Sequence, residues 1–199
     1  LKRTYRTEAG EFYAITKHSY HELLADLDFH WERRYIDDLD DMARLSEAPR
    51  PPVPVFEEAF SAAVEKIGGR GVPMVGVFHP LGWLVRNANM EEVYLWFAAE
   101  PAVMHRYLER TNEQVREAVS RCHEAGIGPV FTVTAHEMLL PPWVGPSVFD
   151  EFVFPYDKRV NDEIHRGGGR LRIHCHGNVV DFLERFVEMG VDSMEPLEP

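Results

Sequence analysis

A chain of 199 residues, 45% hydrophobic and 12% aromatic, is long enough to bury a core and suits a single domain. Its formal charge of −12, unopposed by any basic cluster, repels phosphate backbones and anionic lipid heads and argues against nucleic acid or membrane as a partner. Two distant cysteines, no apolar run near the ~20 residues of a membrane helix, and an opening LKRTYRTEAG without a starting methionine or a signal-peptide core leave a cytoplasmic enzyme acting on a small molecule as the expectation.

In chain order, residues 1–56 read as an N-terminal segment and 57–199 as βα units. KRTYRTEAGEFYAITKH is expected to be a hairpin turning at Ala9-Gly10, and WERRYIDDLDDMARL (31–45) is polar and helix-capable. APRPPVPV (48–55) is a proline-rich extended connector and the strongest boundary in the chain. FEEAFSAAVEKIGG (56–69) is an amphipathic helix. GVPMVGVF (71–78), valine-rich and bounded by glycine and proline, predicts a strand buried on both faces. A helix opens at Pro101, carries Met104, Leu108, Val115, Val119 and Cys122 at helical spacing, and ends at Gly126. GPVFTVTA (128–135) predicts the next strand. Ser147 then caps a helix presenting Phe149, Phe152, Val153, Tyr156, Val160 and Ile164, kinked at Pro155 and stopped by GGG (167–169). RLRIHC (170–175) is a third strand, Asn178 caps a helix over VVDFLERFVEM, and VDSMEPL (191–197) begins a fourth strand.

Strands separated by helices of this length predict parallel pairing with right-handed crossovers, as in a doubly wound sheet or a (βα)₈ barrel. Either architecture gathers chemistry at the carboxyl ends of the strands. His79, the His136-Glu137 pair, the stretch RIHCHGN (172–178) and Glu198 all fall at such ends. Because side chains alternate along a strand, His174 and His176 share a face and Cys175 takes the other. By the same rule, at most one of His136 and Glu137 faces a cleft. His79 either lines that cleft or closes its strand, and Gly177-Asn178 either holds an anion at a helix start or simply caps the helix.

The blocks SVFDEFVFPYDKRVNDEIHRGGGRLRIHCHGN and GVDSMEPLEP resemble the uroporphyrinogen decarboxylase superfamily. The resemblance runs from about residue 71 to the end, with weaker similarity around TEAGEFYAI. It implies an α/β fold of the (βα)₈ TIM-barrel type, with this chain covering about half of the barrel. A half barrel leaves sheet edges unpaired, so the chain is expected to belong to a longer polypeptide or to pack against a second copy as a homodimer.

In the methyltransferase branch of that superfamily a His-x-Cys pair ends one strand and a glutamate ends the next. Here His174 matches the histidine, His176 stands in the place of the cysteine, and Glu198 lies at about the glutamate's position. The resemblance thus implies His174, His176 and Glu198 as ligands of Zn²⁺, or of a non-haem Fe²⁺, against the plainer reading that the imidazoles hydrogen-bond substrate carboxylates without metal. It implies metal-assisted methyl transfer, with a corrinoid as methyl carrier and a corrinoid protein as partner. Glu137 or His136 would be the acid or base, and His79 and Asn178 would contact substrate. The alternatives are decarboxylation of a porphyrinogen and a non-catalytic tetrapyrrole-binding or partner subunit.

Overall fold

The computed structural model describes residues 1–18, 29–50 and 53–198. The chain divides into two compact units, Leu1–Arg50 with Leu84–Tyr107, and Pro51–Trp83 with Leu108–Pro199. The first break falls inside the proline-rich connector. Residues 84–107 group with the N-terminal unit despite their distance in sequence, so the division differs from the expected 1–56 and 57–199.

In the N-terminal unit, strands β1 (Lys2–Thr7), β2 (Gly10–His18) and β3 (Phe29–Arg33) form an antiparallel sheet in the order β1-β2-β3. The expected hairpin is present, turning at Glu8-Ala9, one residue earlier than expected, with Gly10 already paired to Thr7. Thr7 Oγ1 accepts the Ala9 N–H at 3.1 Å, and Gly10 takes φ +126°, a conformation that costs glycine little. Phe12, Ala14 and Thr16 are buried at every second position of β2, as a one-sided sheet requires. The helix-capable stretch 31–45 is split. Trp31 pairs with Thr16 in the sheet, and helix α1 (Leu39–Glu47) begins only where the Asp38 carboxylate accepts the Asp41 N–H at 2.7 Å. The second segment of this unit contains helix α4 (Met90–Ala99), capped by Asn89.

In the other unit, strands β4 (Met74–Gly76), β5 (Val130–Thr134), β6 (Arg170–His174) and β7 (Ser193–Glu195) form a parallel sheet in the order β4-β5-β6-β7. Sequential parallel neighbours are what the alternation of strands and helices predicts, although β4 and β7 are shorter than the sequence runs. Helix α2 (Glu57–Ile67) precedes the sheet. Helix α3 (Pro80–Asn87), which sequence periodicity did not single out, follows β4, and α5 (Pro101–Glu124) leads to β5.

The helix expected from Ser147 is two helices, α6 (Pro146–Phe152) and α7 (Phe154–Arg166). Gly145, not Ser147, occupies the cap, because Pro146 fits the first helical position, where no N–H is needed. Pro155 likewise sits at the start of α7 and does not kink a continuous helix. After β6, the Asn178 side chain accepts the Val180 N–H at 3.0 Å and opens a short 3₁₀ turn leading into α8 (Leu183–Glu188).

Side-chain alternation sorts this sheet into two faces. Phe131, Val133, Leu171 and Ile173 are buried on the helix side, where Phe149 packs edge-on to Phe182 and Phe186 with ring centroids 5.0 and 5.7 Å away. Asn112 Nδ2 donates to the Tyr156 carbonyl at 2.6 Å and joins α5 to α7. No helix among the described residues is long and apolar enough to cross a membrane.

Candidate functional site

The face of the parallel sheet away from the helices is polar. Thr132 pairs with Arg172 and Arg172 with Ser193, and one layer further along Thr134 pairs with His174 and His174 with Glu195. Because the strands are in register, these side chains stand in rows. Arg172 donates to Thr132 Oγ1 at 3.0 Å and is hydrogen-bonded to Glu195, while Glu195 Oε1 lies 2.5 Å from His174 Nδ1.

RIHCHGN continues this alternation beyond the end of β6. His174 and His176 stand together, ring centroids 4.7 Å apart and planes at 83°. Cys175 points the other way and is fully buried, which pushes its thiol up to about 12, with the charges of Glu137 and Glu198 adding to the effect. His176 Nδ1 lies 2.8 Å from Glu198 Oε1, and the other Glu198 oxygen accepts the Gly177 N–H at 2.6 Å. Gly177 can present that N–H because it turns at φ +87°. The hydrogen bond to Glu198 holds the His176 imidazole above its ordinary range, and the same bond holds Glu198 below the usual carboxylate range. The His174 bond, and then the Arg172 charge, do the same to Glu195.

Each imidazole thus has Nδ1 engaged by a carboxylate, with Nε2 as its other ligating atom. A carboxylate on one ring nitrogen sets the tautomer and aims the other, as in the outer shell of many metal-ligating histidines, although among the described residues these two imidazoles are not joined by a third converging ligand atom. Both Glu198 oxygens are engaged, one with His176 and one with the Gly177 N–H, which places the carboxylate where it orients the His176 ring.

A second cluster lies on the opposite, helix side of the sheet. His79 follows β4, His136 follows β5, and Asp157 lies on α7; all three are buried, and their ligating atoms fall within 4.8 Å of one another. His136 Nε2 is 2.7 Å from Asp157 Oδ2, and the His79 and His136 rings stack at 4.5 Å. Val133, Val160, Leu171, Ile173 and Met189 wall a space of about 10 Å³ beside them. Burial, followed by the charge of His136, drives His79 well below the ordinary imidazole range. Burial raises Asp157, against the opposing effect of its His136 hydrogen bond. Burial thus disfavours the charged forms of His79 and Asp157.

Four expected site residues consequently fall in different places. His79 and His136 belong to the sheet–helix layer and do not share the polar face with His174 and His176. Glu137 is half-buried, near enough for its charge to raise both Cys175 and His176. Asn178 caps the turn before α8. The fork between His136 and Glu137 is made by Ala135, a non-glycine residue at φ +78°, which turns the chain sharply at the end of β5.

Sequence reasoning missed Glu195, Arg172 and Asp157. For the first two the signal was the two-residue period that picks out His174. For Asp157 it was an acid set in the apolar stripe of Val153, Val160 and Ile164.

A family model described as uroporphyrinogen decarboxylase (URO-D) matches residues 30–196 of the chain. No curated protein matches it.

Proposed function

The chain belongs to the uroporphyrinogen decarboxylase superfamily, and we propose that it is the part of a (βα)₈-barrel enzyme that carries a metal-assisted methyl transfer, with a corrinoid as methyl carrier. His174 and His176 would hold Zn²⁺ through Nε2, with Glu195 and Glu198 orienting the two rings. The observation that carries this reading is the pair of imidazoles 4.7 Å apart at the carboxyl end of β6, each with Nδ1 engaged by a carboxylate. When bound, the metal supplies Lewis acidity that lowers the pKa of an acceptor.

The chain's own residues set the conditions for that chemistry. The His174 hydrogen bond, and then the charge of Arg172, keep Glu195 ionised. The Gly177 N–H and His176 together fix the Glu198 carboxylate, so His176 is presented in one orientation. Glu137, half-buried and close enough for its charge to act on His176, would take a proton from an acceptor there.

Decarboxylation of a porphyrinogen is the second reading, favoured by Arg172 on the cleft face, where it could meet a substrate carboxylate. The full chain, loaded with Zn²⁺ and mixed with methylcobalamin and a thiol, separates the two. Loss of the corrinoid's methyl group, abolished in a His174→Ala/His176→Ala variant, is the expected result. Demethylation that persists in this variant, or none in the parent chain, refutes the methyl-transfer reading. Carbon dioxide released from uroporphyrinogen would establish the second.

A further inference from the structure

We propose that His79, His136 and Asp157 form a binding site for one divalent transition-metal ion, fastening the ends of β4 and β5 to helix α7. The proposal concerns the opposite side of the sheet from the cleft and does not depend on what the cleft does.

Two imidazoles and one carboxylate make a donor set that Zn²⁺ takes. In a tetrahedral site with Zn–N distances of ~2.0–2.1 Å, neighbouring ligand atoms lie about 3.3 Å apart. The two distances from Asp157 Oδ2, 2.7 Å to His136 Nε2 and 3.9 Å to His79 Nδ1, straddle that value. Small side-chain shifts would make both equal. His79 Nδ1 accepts the Gly82 N–H at 3.1 Å, but that N–H also bonds the His79 carbonyl at 2.9 Å, so it keeps an acceptor if Nδ1 turns to an ion.

The surroundings lack enough polar partners for these groups. Asp157 Oδ1 is buried without a hydrogen bond among the described residues, a costly state that an ion bound to the carboxylate would relieve. Asn161 Oδ1 is also unpartnered, on the wall of the same space and one helical turn beyond Asp157. Its amide nitrogen is anchored on the Met189 carbonyl, which leaves the oxygen as a fourth donor. The space of about 10 Å³ matches one water-sized occupant. No Lys or Arg lines this space, so an ionised Asp157 would have only a protonated imidazole or a bound cation to offset its charge.

Metal-stripped full chain is titrated with Co²⁺, whose visible absorption reports nitrogen ligation, in the parent and in His174→Ala/His176→Ala, Asp157→Asn and His79→Gln variants, each checked for folding by circular dichroism. The cleft double variant should retain one equivalent of tightly bound Co²⁺ and melt at a higher temperature with it than without. Asp157→Asn should weaken that equivalent by more than the 10–100-fold typical of changes outside the ligand shell. His79→Gln, which leaves the Asp157–His136 hydrogen bond intact, gives the same test if Asp157→Asn does not fold. A double variant that binds no Co²⁺, or binding unmoved by both trio substitutions, overturns the proposal. One equivalent lost only in the cleft variant would leave the functional reading standing and this proposal refuted, and one lost only in the trio variants would do the reverse.

Discussion

Gly82→Ala sets helix propensity against packing, and the two point in opposite directions. Gly82 lies inside α3, where alanine in place of glycine should favour folding by up to ~1 kcal/mol. A Cβ added there would sit 2.7 Å from His79 Nε2 and 2.8 Å from Cδ2, so the ring must retreat about 0.7 Å to reach the 3.4 Å of ordinary contact. Only about 10 Å³ of free space lies beside it. His79 is 2% exposed, its ring stacks on His136 at 4.5 Å, and His136 is held by Asp157. Overpacking of this kind costs ~1–3 kcal/mol. Because the shift also strains the bond from Gly82 N–H to Nδ1, the upper part of that range applies. The net expectation is ~1–2 kcal/mol of destabilisation. At ~2–4 °C per kcal/mol for a chain of this size, Tm falls by ~2–8 °C. Thermal melts of the parent, Gly82→Ala, His79→Ala and the double variant measure the coupling directly. In the His79→Ala background Gly82→Ala should be neutral or stabilising, a coupling of ~2 kcal/mol. A Gly82→Ala protein that melts at or above the parent, or an equal effect in both backgrounds, refutes the reasoning.

Phe149→Ala, at a fully buried ring that meets two others edge-on, should cost ~3–5 kcal/mol in urea unfolding, and a loss under ~1 kcal/mol would mean the cluster repacks freely. Cys175, buried and with its thiol near 12, should resist alkylation at pH 8 in the native protein and react once denaturant is added; rapid native labelling would place it on the cleft side. Arg159 grips Glu109 with two hydrogen bonds and lowers its pKa, so the contribution is present above the ordinary value of 4.5 and is lost as pH falls through the lowered one. Glu109→Gln should therefore lose stability at pH 6 but differ little from the parent at the acid extreme. Since both side chains are more than a third exposed, the loss should stay under ~1 kcal/mol, and a difference that grows towards acid would reverse the assigned sign.

Parallel order in the sheet was legible in the sequence because short valine-rich runs between capped helices have few other ways to bury their faces. The sharing of a face by His174 and His176 was legible for a still more local reason: a two-residue period is a property of the extended backbone and needs no partner. Helix starts were less legible. Ser147 is a good cap, yet Pro146 took the first helical position, since a proline's missing N–H is least costly there. Residues 31–45 were misread because nothing local says that Trp31 will find a strand partner at Thr16.

What the sequence by itself determined is the set of alternations and boundaries: which residues share a face and where polar side chains collect at strand ends. Tertiary structure alone decided which of those ends meet. His79, His136 and Asp157 lie in three separate segments, and their 4.8 Å cluster exists only because β4 pairs with β5 and α7 packs across them. The same packing turned His136 inward at Ala135 while leaving its neighbour Glu137 near the cleft. Local rules specify a direction relative to the backbone, but the layer a side chain enters is set by what the rest of the chain lays against it.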